Sequence, residues 1–258
     1  MKKLLAVALT MSLVGAAFAD ARGDEIAHKY YNLKKADDTR STAVMTLIDK
    51  AGTKKVRKLE IFYRETAEGK DAFMKFLEPA DVAGTKFLTL SHKGADSEQR
   101  LYLPALKKTR KISSSGKDGE FVNSDFYFYD LEDKKFEDHT HTFIADNVTI
   151  NDQAFAGKKF SKIEMKPVDA TSPYSKEIAY VSQDDNFVYK LECYGAKDGA
   201  LLKTFLFVKV ENIKGVLVPT QTLVTNHKKG TKTLLALTDP QVNTGVKADT
   251  FSVQNLEQ

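Results

Sequence analysis

Histidine is the side chain whose clustering would announce metal or acid-base chemistry, and this 258-residue chain has five: His28, His92, His139, His141 and His227. Only His139 and His141 are close. Residues two apart on a strand point to one face, so with Asp138 or Asp146 nearby the pair could hold a divalent metal. Zinc sites take three or four ligands, with hydrogen bonds behind them to fix their orientation. Asp138-His139-Thr140-His141 is equally a polar, solvent-facing strand edge, and no metal or other cofactor is assigned. Carboxylate pairs for acid-base work are assembled in space, and among 35 acidic residues no pair stands out. The sole cysteine, Cys193, cannot form an intramolecular disulfide; in Phe187-Val188-Tyr189-Lys190-Leu191-Glu192-Cys193 it reads as a small buried apolar residue on a strand. There is no Gly-x-Ser-x-Gly elbow, no His-Glu-x-x-His, no phosphate-binding Gly-x-x-x-x-Gly-Lys loop and no Cys-x-x-Cys. Gly116-Lys117-Asp118-Gly119 lacks the spacing of such a loop. A hydrolase survives only as a residual reading, one that a metal held at His139 and His141 would revive.

The one dense basic run is Lys107-Lys108-Thr109-Arg110-Lys111. It could meet anionic headgroups or an acidic partner; its plainer reading is an edge strand or loop that lysine keeps from pairing. Net charge is +4, and two of those charges, Lys2 and Lys3, precede the uncharged run Leu4 to Ala17 and the small-x-small Ala17-Phe18-Ala19. That pattern predicts a cleaved secretory signal peptide over residues 1–19, with the run too short to span a membrane. No cysteine lies near the cleavage site to carry a lipid. The mature chain from Asp20 would then be exported, periplasmic if bacterial, nearly neutral at +2, and a poor candidate for nucleic-acid binding.

At 42% apolar and 29% charged, with six prolines and fourteen glycines, the chain has globular composition and length enough for a large core. A single domain over 20–258 is expected. Ile26, Tyr30 and Leu33 recur at helical spacing and predict an amphipathic helix over 24–36. Thereafter the period is two: Thr42 to Ile48, Lys58 to Tyr63, Phe87 to Leu90 and Leu101 to Leu103 alternate. The second half repeats this over Phe160 to Met165, Glu177 to Ser182, Phe187 to Cys193, Leu202 to Val210, Val218 to Asn226 and Lys232 to Thr238. Turn chemistry such as Asp49-Lys50-Ala51-Gly52 and Asp184-Asp185-Asn186 separates them. Ten or eleven strands result, mainly β and antiparallel, with no βαβ alternation. Between the halves, Asn123-Ser124-Asp125 is expected to cap a short helix over Phe126 to Leu131, lying across a sheet.

Sixteen phenylalanines and ten tyrosines are a heavy aromatic load. Strands such as Phe73-Met74-Lys75-Phe76-Leu77 and Phe205-Leu206-Phe207-Val208 are apolar on both faces. A filled small barrel, a larger half-open barrel with an apolar cavity and a packed sandwich all accommodate that pattern.

Four ordered blocks resemble the outer-membrane lipoprotein-sorting family, the LolA/LolB-like group. They are Met74 to Thr85 (MKFLEPADVAGT); Arg100-Leu101-Tyr102-Leu103-Pro104 with Lys108 to Ile112; Ser124-Asp125-Phe126 with Tyr129-Asp130-Leu131; and Phe251-Ser252-Val253 with Asn255-Leu256-Glu257. Within it they look most like the branch found beside resistance-nodulation-division exporters. The resemblance covers nearly all of the mature chain. It implies a half-open, curved antiparallel β-barrel whose concave apolar face is closed by helices. It also implies carriage of lipid or lipoprotein acyl chains through the periplasm between an inner-membrane exporter and an outer-membrane acceptor. The arginine with which carriers of the family control lid closure has no matching position here. On this reading the candidate lipid-binding wall is Leu59, Ile61 and Tyr63; Phe76 and Phe87; Phe187, Tyr189 and Leu191; and Phe205 and Phe207, with Phe126 and Tyr129 as lid. Strand parity alone leaves open which face is concave. The competing reading is a non-enzymatic interaction or sensor module of an exporter or envelope-stress pathway, with the same fold and a filled interior.

Overall fold

The structure, a computed structural model, describes residues 20–258; the expected signal peptide lies outside them. Helix α1 occupies the described residues 20–31. Thirteen strands come after it: β1 (Asp38–Ile48), β2 (Lys54–Thr66), β3 (Gly69–Glu78), β4 (Lys86–His92), β5 (Ala95–Leu103), β6 (Lys108–Lys111), β7 (His139–Val148), β8 (Phe160–Pro167), β9 (Tyr174–Ser182), β10 (Val188–Gly195), β11 (Leu201–Ile213), β12 (Val216–Asn226) and β13 (Thr231–Val242). A five-residue helix, α2 (Val253–Glu257), ends the chain.

All thirteen strands form one antiparallel sheet in the order β6-β5-β4-β3-β2-β1-β13-β12-β11-β10-β9-β8-β7. Two meanders, β1 to β6 and β7 to β13, are therefore joined edge to edge by β1 and β13, with Ala43 opposite Leu237 and Met45 opposite Leu235. The two free edges, β6 and β7, are consecutive in sequence but do not pair. Residues 112–138 carry the chain from one to the other across the concave face. The half-open barrel holds, with thirteen strands where the periodicity indicates ten or eleven. The alternation does not mark the two edges: β6 is only four residues of KTRK, and β7 is interrupted by irregular pairing between Phe143, Ala145 and Val148. The basic run is thus an edge strand, where like charges oppose further pairing.

The alternation in β2 shows which residues face the concave side of the sheet. Leu59 and Ile61 turn inward and are fully buried, while Lys58 and Glu60 face outward. Register then places Leu59 beside Ala43 and Phe76, and Ile61 beside Met74. This concave face is covered by Phe121, Phe126 and Phe128 of the crossing segment, and further round by Ile26, Ala27, Tyr30 and Tyr31 of α1. On the convex side, Phe73 and Leu88 are covered by Phe251 and Leu256, and Phe160, Ile178 and Tyr189 by Ile150 and Phe155. Strands apolar on both faces are satisfied because short segments cap both.

Helix α2 is too short to hold itself in water, so its start depends on Ser252, whose side chain accepts a hydrogen bond from the Asn255 backbone N–H at 3.1 Å. Ser252→Ala should cost about 1 kcal/mol in urea unfolding, the usual effect of losing an N-cap.

Two expected helices differ from the structure. The first helix ends at residue 31 rather than 36, its last turn tightened by the Leu33 N–H donating to the Tyr30 carbonyl. Residues beyond it lead into β1, with Lys34 reaching the Lys214 carbonyl and Lys35 the Glu65 carboxylate. In place of the expected helix over 126–131 there is a single 3-10 turn, Tyr129–Leu131, and a second 3-10 turn, Phe121–Asn123, precedes the expected span. Its capping groups are used elsewhere. Ser124 donates to the Phe121 carbonyl, and Asp125 accepts from the hydroxyls of Thr231 and Thr233 on β13. Val122 and Asn123 have φ of 47° and 56°, and Arg57 of β2 donates to the Val122 carbonyl. Bonds to the sheet therefore replace the helical ladder.

Candidate functional site: an apolar cavity under the crossing segment

Between the concave sheet, the end of α1 and the crossing segment lies a cavity of about 520 Å³. Its inner wall is aliphatic, with Met45, Leu59, Ile61 and Met74 from β1 to β3 and Leu235 and Leu237 from β13. Phe121, Phe126 and Leu131 close it from above, and Phe187, Phe205 and Phe207 line the far side. Charged groups, among them Lys34, Lys35, Arg40, Glu65 and Lys70, occur where β1 begins and β2 ends, so the mouth is at that end. Burial pushes the pKa values of the Tyr30 and Tyr63 hydroxyls up to about 12, in keeping with the low polarity of the wall.

Seven of the twelve expected site residues reach this cavity: Leu59, Ile61, Tyr63, Phe126, Phe187, Phe205 and Phe207. The other five do not. Phe76 and Phe87 are fully buried behind Phe121, their ring centroids 5.7 and 5.0 Å from its own. Leu191 packs where the two concave clusters meet. Tyr189 is on the convex side against Phe155 and Phe160, its hydroxyl donating to Asp185 at 2.7 Å. A register shift between Val188 and Lys190 reverses the parity there, so that Val188 enters the cavity and Tyr189 leaves it. Tyr129 lines a separate polar pocket of about 340 Å³ beside Lys117, Glu132 and Asp169, so only Phe126 of the expected lid pair faces the apolar cavity. Met45 and Leu237 were missed, although either could have been found by carrying the alternation of β2 across its neighbours.

The crossing segment is fastened to the sheet through a buried polar cluster. Lys203 of β11 has a side chain 0% exposed and pairs with Asp130, 4% exposed, at 3.0 Å. The Tyr174 hydroxyl donates to the other Asp130 oxygen at 2.6 Å, and the Tyr127 backbone N–H donates to that carboxylate at 2.7 Å. The Lys203 ammonium also stands 2.9 Å from the Tyr127 ring centroid. Burial pulls its pKa down, with Asp130 opposing. Cys193 is wholly buried in the same core, and burial pushes its thiol well above the ordinary range, where it is a poor nucleophile.

His139 and His141 are not solvent-facing, since both side chains are 1% exposed. Helix α1 and the turn at Phe136 cover the inner side of β7. His141 stacks on Phe136 at 4.5 Å and meets Asp24 of α1 at 3.2 Å, while His139 lies 3.3 Å from Glu177. Among the described residues no group of three or more His, Cys, Asp or Glu side chains is placed to hold a metal. Burial lowers the His141 pKa, opposed by Asp24. A depressed folded pKa means that the unfolded chain binds the proton more readily, so the contribution of neutral His141 is complete above about 6.5 and is lost as pH falls below it. The urea midpoint should fall between pH 7 and pH 5, and His141→Phe should flatten that fall.

Solved structures of known proteins share this architecture. A domain assigned to outer-membrane lipoprotein sorting from Vibrio parahaemolyticus is 29% identical, covers 93% of this chain and 100% of its own, and superposes with a TM-score of 0.85. A DUF1329 family protein from Desulfovibrio piger is 24% identical over 92% of this chain and 99% of its own, again with a TM-score of 0.85. A LolA superfamily protein from Nitrosomonas europaea is 17% identical over 90% and 98%, with a TM-score of 0.69. The fold is LolA-like, that of the lipoprotein-sorting proteins. More particularly, a family model described as an uncharacterized protein family matches residues 68–258, and the chain belongs to that family. No curated protein matches it. Among the described residues no helix is long and apolar enough to cross a membrane.

Proposed function

We propose that the chain is a periplasmic, non-enzymatic carrier that takes one acyl chain of a lipid or lipoprotein into the cavity under the crossing segment. On this reading residues 1–19 are a removed leader and 20–258 a single lipid-binding domain. The observation that carries the proposal is the cavity itself: about 520 Å³, walled mainly by aliphatic and aromatic side chains, with its charged groups confined to the mouth and the crossing segment. A methylene occupies about the volume of a water molecule in the liquid, roughly 30 Å³, so the space suits a chain of roughly sixteen carbons. Burial contributes about 0.8 kcal/mol per methylene, offset by the chain's lost freedom, which gives tight yet exchangeable binding. The LolA-like fold of a lipoprotein-sorting domain 29% identical to this chain supports the reading. Transfer from an inner-membrane exporter to an outer-membrane acceptor is the cycle such a carrier would serve. Titration with a fluorescent fatty acid tests it: saturable uptake near one per chain is expected. No uptake would point instead to an interaction or sensor module.

A further inference from the structure

Antiparallel pairing sends alternate turns to opposite ends of the sheet, and one end gathers lysines from three hairpins far apart in sequence. Lys50, Lys54 and Lys55 flank the β1–β2 turn, Lys107 and Lys108 the β5–β6 turn, and Lys232 comes just after the β12–β13 turn; all six are exposed. The turns are neighbours in space. A Cβ at Gly230 would stand 3.7 Å from that of Lys50, and one at Gly84, in the intervening β3–β4 turn, 3.5 Å from Pro104 of the β5–β6 turn.

The carboxylates at this end are mostly engaged. Asp49 accepts from the N–H groups of Ala51 and Thr53 within its own turn, Glu78 pairs with Lys58, and Glu120 pairs with Lys229. Asp198 lies 3.8 Å from Lys228, and Asp81 is exposed. Among the described residues, none of the six lysines is in an ion pair. At the opposite end, by the cavity mouth, Lys35 pairs with Glu65 and Lys70 faces Asp133, so charges there are mixed. The lysine end also carries exposed apolar side chains: Leu106, 62% exposed at the tip of the β5–β6 turn, and Val56, 52% exposed on β2.

We infer that this end docks on an anionic lipid surface, with Leu106 entering the headgroup layer and the lysines meeting lipid phosphates. Exposed leucine beside clustered lysine is the combination that binds an anionic interface, which an acidic protein partner would not require. Docked this way, the chain holds its cavity mouth away from the bilayer it stands on. Docking and cavity binding are therefore separable, and the inference does not rest on the carrier reading.

Sedimentation of the purified protein with vesicles tests it. Binding is expected to vesicles of phosphatidylglycerol in phosphatidylcholine and not to phosphatidylcholine alone. It should weaken from 0.1 M to 1 M salt as the screening length falls from about 10 to 3 Å. Each lysine near such a surface is worth about a fivefold change in partition, so Lys54→Glu/Lys55→Glu/Lys107→Glu/Lys108→Glu should lower it by at least about a hundredfold. Lys34→Glu/Arg40→Glu, at the mouth, should leave it unchanged. Circular dichroism of each variant establishes folding, and fatty-acid uptake by the fourfold variant should equal that of the parent. Equal binding to both vesicle types, no binding at all, an unaffected fourfold variant, or loss of binding in the mouth variant instead would overturn the inference. So would retention on immobilised polyglutamate by a protein that ignores the anionic vesicles.

Discussion

Lys203→Met is expected to destabilise the protein by about 3–5 kcal/mol, the cost of leaving one member of a buried ion pair without its partner. The lysine is wholly enclosed, and among the described residues its only carboxylate at ion-pair distance is Asp130. Methionine fills most of the space but leaves Asp130 with the Tyr174 hydroxyl and the Tyr127 N–H as its remaining donors. Because Asp130 belongs to the crossing segment, the loss falls first on the closure of the cavity, and hydrogen exchange over residues 119–131 should rise before the sheet opens. Lys203→Met/Asp130→Asn removes both charges while keeping an acceptor for Tyr174, and should recover more than half of the lost stability. Equilibrium urea unfolding of the two variants checks both statements. If the double variant is no more stable than the single one, the pair is not what fastens the segment.

Filling the cavity should have the largest effect on binding. Leu237 lines it from β13, half-buried and opposite Ala43 in the sheet. Leu237→Trp would displace on the order of four methylenes of a bound chain, about 3 kcal/mol, or on the order of a hundredfold in affinity for a fatty acid. The added bulk faces open space, so stability should change by no more than the 1–3 kcal/mol typical of overpacking. Val56→Trp places the same ring on the exposed convex side and should leave fatty-acid affinity unchanged. Fluorescence titration of both variants separates a filled cavity from a general effect of the ring.

The strands of the central sheet were legible because their period of two is set by which face meets the core, as Lys58-Leu59-Glu60-Ile61 illustrates. The edges were less so: β6 is short and charged, and β7 carries polar residues that are buried only because α1 and Phe136 lie over them. The crossing segment defeated helix rules for a related reason. Ser124, Asp125 and Asp130 have the composition of a helix start, but each side chain is taken by a partner in its own turn or on β11 and β13. The partners of Asp125 and Asp130 lie tens of residues away and leave no local signal. Within the site, alternation puts Leu59 with Ile61 and Phe205 with Phe207 on one face of their strands, and the resemblance to a half-open barrel makes that face the candidate wall. Tyr189 failed because one irregular residue in β10 reverses the face to which its neighbours point. Phe76 and Phe87 failed because the depth of a residue behind Phe121 has no counterpart in its periodicity.

The central claim is that the cavity holds an acyl chain, and native mass spectrometry with lipid extraction tests it most directly. Protein purified gently from the exported fraction should carry a co-purifying lipid near one per chain, and Leu237→Trp should strip most of it. A clean unliganded mass from that fraction, with no uptake of a fluorescent fatty acid, would contradict the account.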